Sequence, residues 1–368
     1  MPTFKNSGMG NKNMKSMNKT AGKFLLKCII IVIMPFVFNC CFVADVHSYT
    51  RIMLDELHDD GYIDVLFLGA SLTYRNYDVK LIEEKTGLNV FNAGSASQRL
   101  QTSYYLLREA NEANGVRTVL LDVHYTMLQH TEPGLTETYA IADYLKNKSI
   151  KYEHLYQAFG LDGIANGILP VLHSCSLDPD TLGNHFTGDY KSNSYKYVTF
   201  DNEEYRGQGF VYNFDVVPDN YVFGLERSAI DPDNLISDFC LEYLNKIIAY
   251  CKDSNIELIL LVAPMSDGML MASENYQLYV DAISIMAKEN NLQYWDFNLA
   301  KRGVLTMDRT DYTDDKHVNG VGAEKISKCI SRILNGEIAD PFYNTYEEKI
   351  INNPDNTANR FLSKKTTR

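Results

Sequence analysis

Positive charge is scarce over most of this 368-residue chain. Of its 35 lysines and arginines, six lysines fall within residues 1–27, which hold no acid. The rest carries 29 basic against 47 acidic side chains, a net of −18. A body of that sign repels phosphate, which excludes a non-specific nucleic-acid binder. Cysteine is scarce as well. Three of the seven (Cys28, Cys40, Cys41) share one N-terminal segment. The other four, Cys175, Cys240, Cys251 and Cys329, have neither metal-ligand spacing nor the density of a disulfide framework. There is no HExxH or His-x-His pattern and no repeat of fixed period, so no metal and no other cofactor is expected. At 45% hydrophobic and 22% charged residues the composition is that of a globular protein, not of a collagen, a disordered chain or a polytopic membrane protein.

What is present begins with an address. Charge is absent from Cys28 to Ala44, and Phe24–Leu26 extend the apolar stretch past Lys27. A helix there approaches the ~20 residues that cross a hydrocarbon core. Lys27 can snorkel to the headgroups, and Pro35 kinks without preventing insertion. The preceding lysines hold the N-terminus in the cytoplasm. Residues 1–23 therefore read as a cytoplasmic tail, 24–45 as a single membrane-spanning anchor, 46–335 as an extracytoplasmic domain and 336–368 as a polar tail. A cleaved signal peptide is the alternative, but Asn39, Cys40 and Cys41 make a poor cleavage site.

The body alternates strand and helix. Strands are expected at 64–69, 88–92, 117–123, 256–264 and 292–297. Helices are expected at 78–87, 98–113, 234–251, 275–290 and 318–334. This rhythm predicts an α/β fold, about five parallel strands with helices on both faces. Cys240 and Cys251, three turns apart on one helix, belong to its buried face. Residues 126–233 break the rhythm and read as a long insertion, with helices near 138–146 and 151–159. Its aromatics (Tyr190, Tyr195, Tyr197, Phe200, Tyr205, Phe210, Tyr212, Phe214) serve either a carbohydrate cleft or packing.

Three short segments carry chemistry. Gly69-Ala70-Ser71-Leu72 follows the first strand, Asn92-Ala93-Gly94 follows the second, and Asp314-Asp315-Lys316-His317 precedes the last helix. Ligands of an open parallel sheet collect at the carboxyl ends of its strands. A serine there is placed for nucleophilic attack, which needs a base and an orienting carboxylate; His317 and Asp314, three apart, supply that pair. A glycine such as Gly94 lets its amide approach a ligand. Each segment alone also has a plain structural use: a helix-capping serine, a turn glycine, a surface histidine.

Together the segments resemble the SGNH, or GDSL-type, hydrolases over residues 62–334, with Ala70 in place of the family's aspartate. That resemblance implies a three-layer flavodoxin-like fold. It implies Ser71 as nucleophile, His317 as general base and acid, Asp314 as its orienter, and the Ser71 and Gly94 amides as oxyanion donors. The family's third block, Gly-x-Asn-Asp, departs: Leu121-Asp122-Val123-His124-Tyr125 has no asparagine, leaving His124 or Tyr125 as substitutes. Arg75 and Arg99 are placed to meet a phosphate or carboxylate, with an ion-paired or solvated arginine as the alternative; Asn92 is a further substrate-binding candidate. The anchor and insertion make the chain similar to a membrane-anchored branch that modifies cell-envelope polymers. The resemblance thus implies an acylated glycan or polymer as partner, together with a membrane O-acyltransferase. A serine esterase or O-acyltransferase is expected, a catalytically degenerate glycan-binding or scaffold protein is the competing reading, and a phosphodiesterase is a weaker third.

Overall fold

The computed structural model describes residues 9–43, 49–177, 179, 183, 199–200, 202–225 and 228–352. Contacts divide the chain into two units, residues 1–46 with 164–192, and residues 47–163 with 193–368.

In the first unit, helix α1 (Met9–Phe42) runs unbroken through Pro35. Its Ala21–Phe42 portion is 22 residues long and apolar enough to cross a membrane, and none of it is buried by protein. Phe24, Ile31 and Val32 are each more than half exposed. A helix apolar all round with no protein cover is stable only in an apolar medium. Just beyond it, Val43 bridges Cys175 and the Ser176 N–H donates to Phe42 O at 2.9 Å.

The second unit is built on a five-stranded sheet. Its strands are β1 (Ile63–Leu68), β2 (Val90–Asn92), β3 (Val116–Asp122), β6 (Glu257–Val262) and β7 (Gln293–Asp296). All pairs are parallel, in the order β7-β6-β3-β1-β2. This is the flavodoxin-like order, whose switch point lies between β1 and β3. Residues alternate between faces, as period two requires. Leu66, Leu68, Val119, Leu121, Leu258, Leu260 and Val262 face one core. Val65, Phe67, Leu120, Ile259 and Leu261 face the other. The first core is closed by α2 (Tyr49–Asp59), α5 (Leu100–Asn114), α9 (Asp238–Asp253) and α10 (Tyr276–Glu289), the second by α4 (Val79–Thr86) and α11 (Gly320–Leu334). Helix–sheet–helix layering follows from strands apolar on both sides. Cys240 and Cys251 lie buried on α9, as their spacing predicts.

Between β3 and α9 the chain forms α6 (Tyr125–Leu128), α7 (Leu135–Ala142) and α8 (Lys148–Ile168), the last broken at Gly160. The segment also makes an antiparallel hairpin, β4 (Glu203–Gly207) and β5 (Phe210–Asn213). The hairpin turn covers the open edge of β2. The Asn92 N–H donates to Gln208 O at 3.0 Å, and Gly209, at φ +82°, is so close that a Cβ would lie 1.7 Å from Asn92 O. Among its aromatics, Tyr205 and Phe210 are buried, while Phe214 is more than half exposed. Tyr205 is fully buried, stacks on Tyr49 and donates to Glu56, Phe210 joins the core, and Tyr212 leans on Phe214. Tyr190, Tyr195 and Tyr197 lie outside the described residues.

Candidate active site

Ser71 opens α3 (Ser71–Asn76) directly after β1. Gly69 makes that elbow possible, since a Cβ on it would stand 2.2 Å from Thr73 Oγ1 and 2.5 Å from Asp122 Cβ. The N-cap position is Ala70, so Ser71 does not cap the helix. Its hydroxyl meets His317 Nε2 at 2.7 Å, across 246 residues of sequence. His317 Nδ1 lies 2.8 Å from Asp314 Oδ2.

The loop that brings these groups is locked by its own backbone. Asp314 Oδ1 accepts from the N–H groups of Lys316 and His317, each at 2.8 Å. The Thr313 N–H donates to His317 O, and Tyr312 bridges Val318. Asp315 ties the loop down by accepting from Gly224 N–H at 2.7 Å. Burial raises the Asp314 pKa, but hydrogen bonds from His317 and the loop outweigh it and hold the carboxyl at about 2. An ionised Asp314 only accepts, so Nδ1 of His317 carries its proton and Nε2 is left to accept from Ser71 Oγ–H. Ser71 N–H, at the first position of α3, has no intrahelical acceptor.

These groups open into a cavity of about 350 Å³. Ser71 and its neighbours form one wall. Ser97, Gln98 and Arg99, ahead of α5, form a second. Asp122, His124, Thr126, Met127 and His130, after β3, form a third, and Lys316 and His317 close the fourth. The cavity thus sits at the switch point between β1 and β3. A larger cavity, about 540 Å³, lies beyond the ends of β6 and β7 against Met265, Phe297 and Arg302, and no member of the serine–histidine–aspartate chain lines it. Among the described residues no three His, Cys, Asp or Glu side chains are grouped to hold a metal.

Several expected substrate contacts are spent elsewhere. Asn92 is fully buried, donating to Thr73 O at 2.9 Å and Tyr77 O at 3.3 Å, so it braces the turn and does not face a ligand. The Gly94 N–H, expected at the oxyanion, donates to Asn92 Oδ1 at 3.0 Å, and Gly94 lines a different, small pocket. What requires a glycine there is packing: a Cβ would stand 2.9 Å from both Thr73 Cβ and Tyr74 N. Arg75 pairs with Glu203 of the hairpin and does not line the cavity. Tyr125 is fully buried behind the third wall, against His124 and Tyr279.

His124 and Arg99 do line the cavity. Burial, with Lys316 and His317 nearby, lowers the His124 pKa to about 3, so its imidazole is neutral. Its Nδ1 accepts from Thr126 N–H at 3.3 Å, which leaves the proton on Nε2, 3.3 Å from Met265 Sδ. Asp122, at the end of β3, is raised to about 7 by burial, against one backbone hydrogen bond from His124. Sequence reasoning passed over Asp122, Gln98, Thr126, His130 and Lys316 as cavity residues. Their signal was position: each lies just beyond a strand end or beside His317.

No family model matches the chain, and no curated protein matches it. Among solved structures it is similar to a G-D-S-L family protein from Desulfitobacterium hafniense, at 12% identity and TM-score 0.35, covering 73% of this chain and 98% of that one. It is similar to a protein assigned as an acylhydrolase from Bacteroides fragilis, at 9% identity and TM-score 0.36, covering 77% and 94%. It is also similar to a GDSL-like lipase from Bacteroides thetaiotaomicron, at 12% identity and TM-score 0.36, covering 79% and 99%. At those scores the likenesses decide nothing about the cavity, whose reading rests on the hydrogen-bonded line from Ser71 through His317 to Asp314.

Proposed function

We propose that the chain is an SGNH-type serine hydrolase or O-acyltransferase acting on ester bonds. The observation that carries this reading is the continuous Ser71–His317–Asp314 hydrogen-bonded line opening into a cavity at the sheet's switch point. Ser71 Oγ attacks the acyl carbonyl while its proton passes to His317 Nε2, and Asp314 steadies the imidazolium. His317 then returns the proton to the leaving alcohol. Water or a sugar hydroxyl, activated by His317, releases the acyl group from Ser71. Ser71 N–H takes the oxyanion role, joined by the His124 Nε2–H when the acyl oxygen displaces Met265 Sδ as its acceptor, so that His124 replaces the third-block asparagine. The substrate is an acylated cell-envelope glycan or polymer. The N-terminal helix anchors the enzyme with its catalytic domain outside the membrane, beside a membrane O-acyltransferase.

A second reading is favoured by one observation. Gly94 N–H is occupied and no third-block asparagine exists, so the oxyanion site is thinner than the resemblance implies. On that reading the cavity binds a glycan without turning it over. Fluorophosphonate labelling separates the two, because the probe reacts only with a serine activated by its base. The detergent-solubilised full chain is expected to label at Ser71, and Ser71→Ala and His317→Ala to abolish labelling. A folded protein that does not label overturns the hydrolase reading in favour of the binding module.

A further inference from the structure

Arg99 is the unusual charge of the cavity. It lies at the N-cap of α5, yet its side chain makes no cap hydrogen bond. Its Nε and Nη1 atoms are buried, and among the described residues neither has an acceptor. A guanidinium with two buried donors unmatched is costly to hold, because desolvated donors lose water without a replacement. An acid with electrostatic reach to it is Glu137. That carboxyl is already engaged, with Oε2 accepting from Thr102 and Oε1 from Gly134 N–H, and burial pushes it up to about 7. Near pH 7 it is therefore only partly ionised beside Arg99.

The rest of the cavity strengthens the same sign. Lys316, on the opposite wall, forms no ion pair among the described residues and rests over the Tyr125 ring at 5.7 Å. Burial keeps His124 and His130 neutral near pH 7, with His130 lowered to about 4 also by Arg99 itself. The one carboxyl in the cavity lining, Asp122, is raised to about 7 by burial. The first N–H groups of α5, a 15-residue helix, add their partial positive charge beside Arg99. In a chain of net charge −12, Arg99 and Lys316 thus bring two cationic side chains to the walls of this cavity.

We infer that Arg99, aided by Lys316, binds an anionic group, phosphate or carboxylate, carried by the acylated substrate, so that the enzyme selects esters on acidic polymers over esters on neutral glycans. This rests on the hydrolase reading for the ester, but not for the anion. A guanidinium recognises either group through paired N–H donors and keeps its charge at any relevant pH.

The test is direct binding, with labelling run in parallel. Glycerol 3-phosphate, glucuronate and glucose are titrated calorimetrically into the detergent-solubilised full chain and its Arg99→Gln, Arg99→Lys and Lys316→Gln variants. The expected result is binding of at least one anion, none of glucose, and a loss of tenfold or more in Arg99→Gln with partial retention in Arg99→Lys. Preference for the phosphate identifies a phosphodiester polymer, and preference for glucuronate identifies a uronic-acid polymer. Equal binding by wild type and a folded Arg99→Gln, or no anion binding at all, overturns the inference. If Arg99→Gln does not fold, Lys316→Gln carries the same comparison, with weakened anion binding expected and unchanged binding overturning it. Anion binding without fluorophosphonate labelling would overturn the hydrolase reading and leave the anion site standing.

Discussion

The Ser71–His317 contact depends on one ionised carboxylate. With Asp314 held at about 2, the neutral His317 ring is fixed in the tautomer that accepts from serine. Asp314→Asn keeps the shape but can donate to Nδ1, favouring the wrong tautomer. A fall in kcat on the order of 10³–10⁴ is expected, with an unchanged circular dichroism spectrum. A variant within tenfold of wild type would remove Asp314 from the mechanism. Asp122 gives a second prediction through stability. Its folded pKa of about 7 lies above the usual carboxylate value of ~3.9. Between those values the folded state keeps a proton that the unfolded chain has released. Stability due to this group therefore falls as pH rises from ~4 to ~7 and then levels off. Asp122→Asn cannot ionise, so its melting temperature is expected to gain on wild type between pH 5 and pH 8. A constant difference across that range would contradict the buried, protonated acid.

At the scale of elements, the site is held by edges meeting. The hairpin β4–β5 has a separate origin from the sheet, yet it donates structure to β2 through Gln208 O and Gly209. Gly209→Ala would place a Cβ on Asn92 O and force a side chain into positive φ. A loss of at least ~1–3 kcal/mol is expected. It is measured by chemical denaturation, and a change under ~0.5 kcal/mol, the range of ordinary surface substitutions, would show that the hairpin is not docked there. Element identity was largely legible beforehand. Short continuous apolar runs marked Val65–Leu68 and Leu258–Val262, and helical spacing marked Leu100–Ala110, with ends shifted by a residue or two because caps compete locally. The hairpin was not legible, because its strands are short and their register is set by contact with β2 instead of by their own pattern.

Over the whole chain, charge and hydropathy are segregated: a long apolar stretch near the N-terminus precedes an acidic body. The chain is expected to stay in the membrane pellet after alkaline carbonate extraction. The orientation proposed above predicts that protease added to intact cells digests the domain but spares the lysine-rich N-terminus. Release into the carbonate supernatant would remove the anchor, and protection of the domain would reverse the orientation.

The amino-acid sequence by itself determined the membrane-length helix, the alternating strands and helices, and which serine, histidine and aspartate were candidates. Those features are local. They follow from side-chain polarity, from periodicities of 2 and 3.6, and from residue types at strand ends. Only the tertiary structure decided which candidates line the cavity. Arg75 and Arg99 look alike in sequence, each a few residues past a strand-end glycine or serine. Arg75 meets Glu203, brought from the distant hairpin, while Arg99 Nε and Nη1 meet no acceptor among the described residues. Likewise Gly94 donates to Asn92 and not to a ligand because the turn closes on itself under α3. A charge or a donor is available for chemistry only if folding brings it no partner, and partners come from residues far away along the chain.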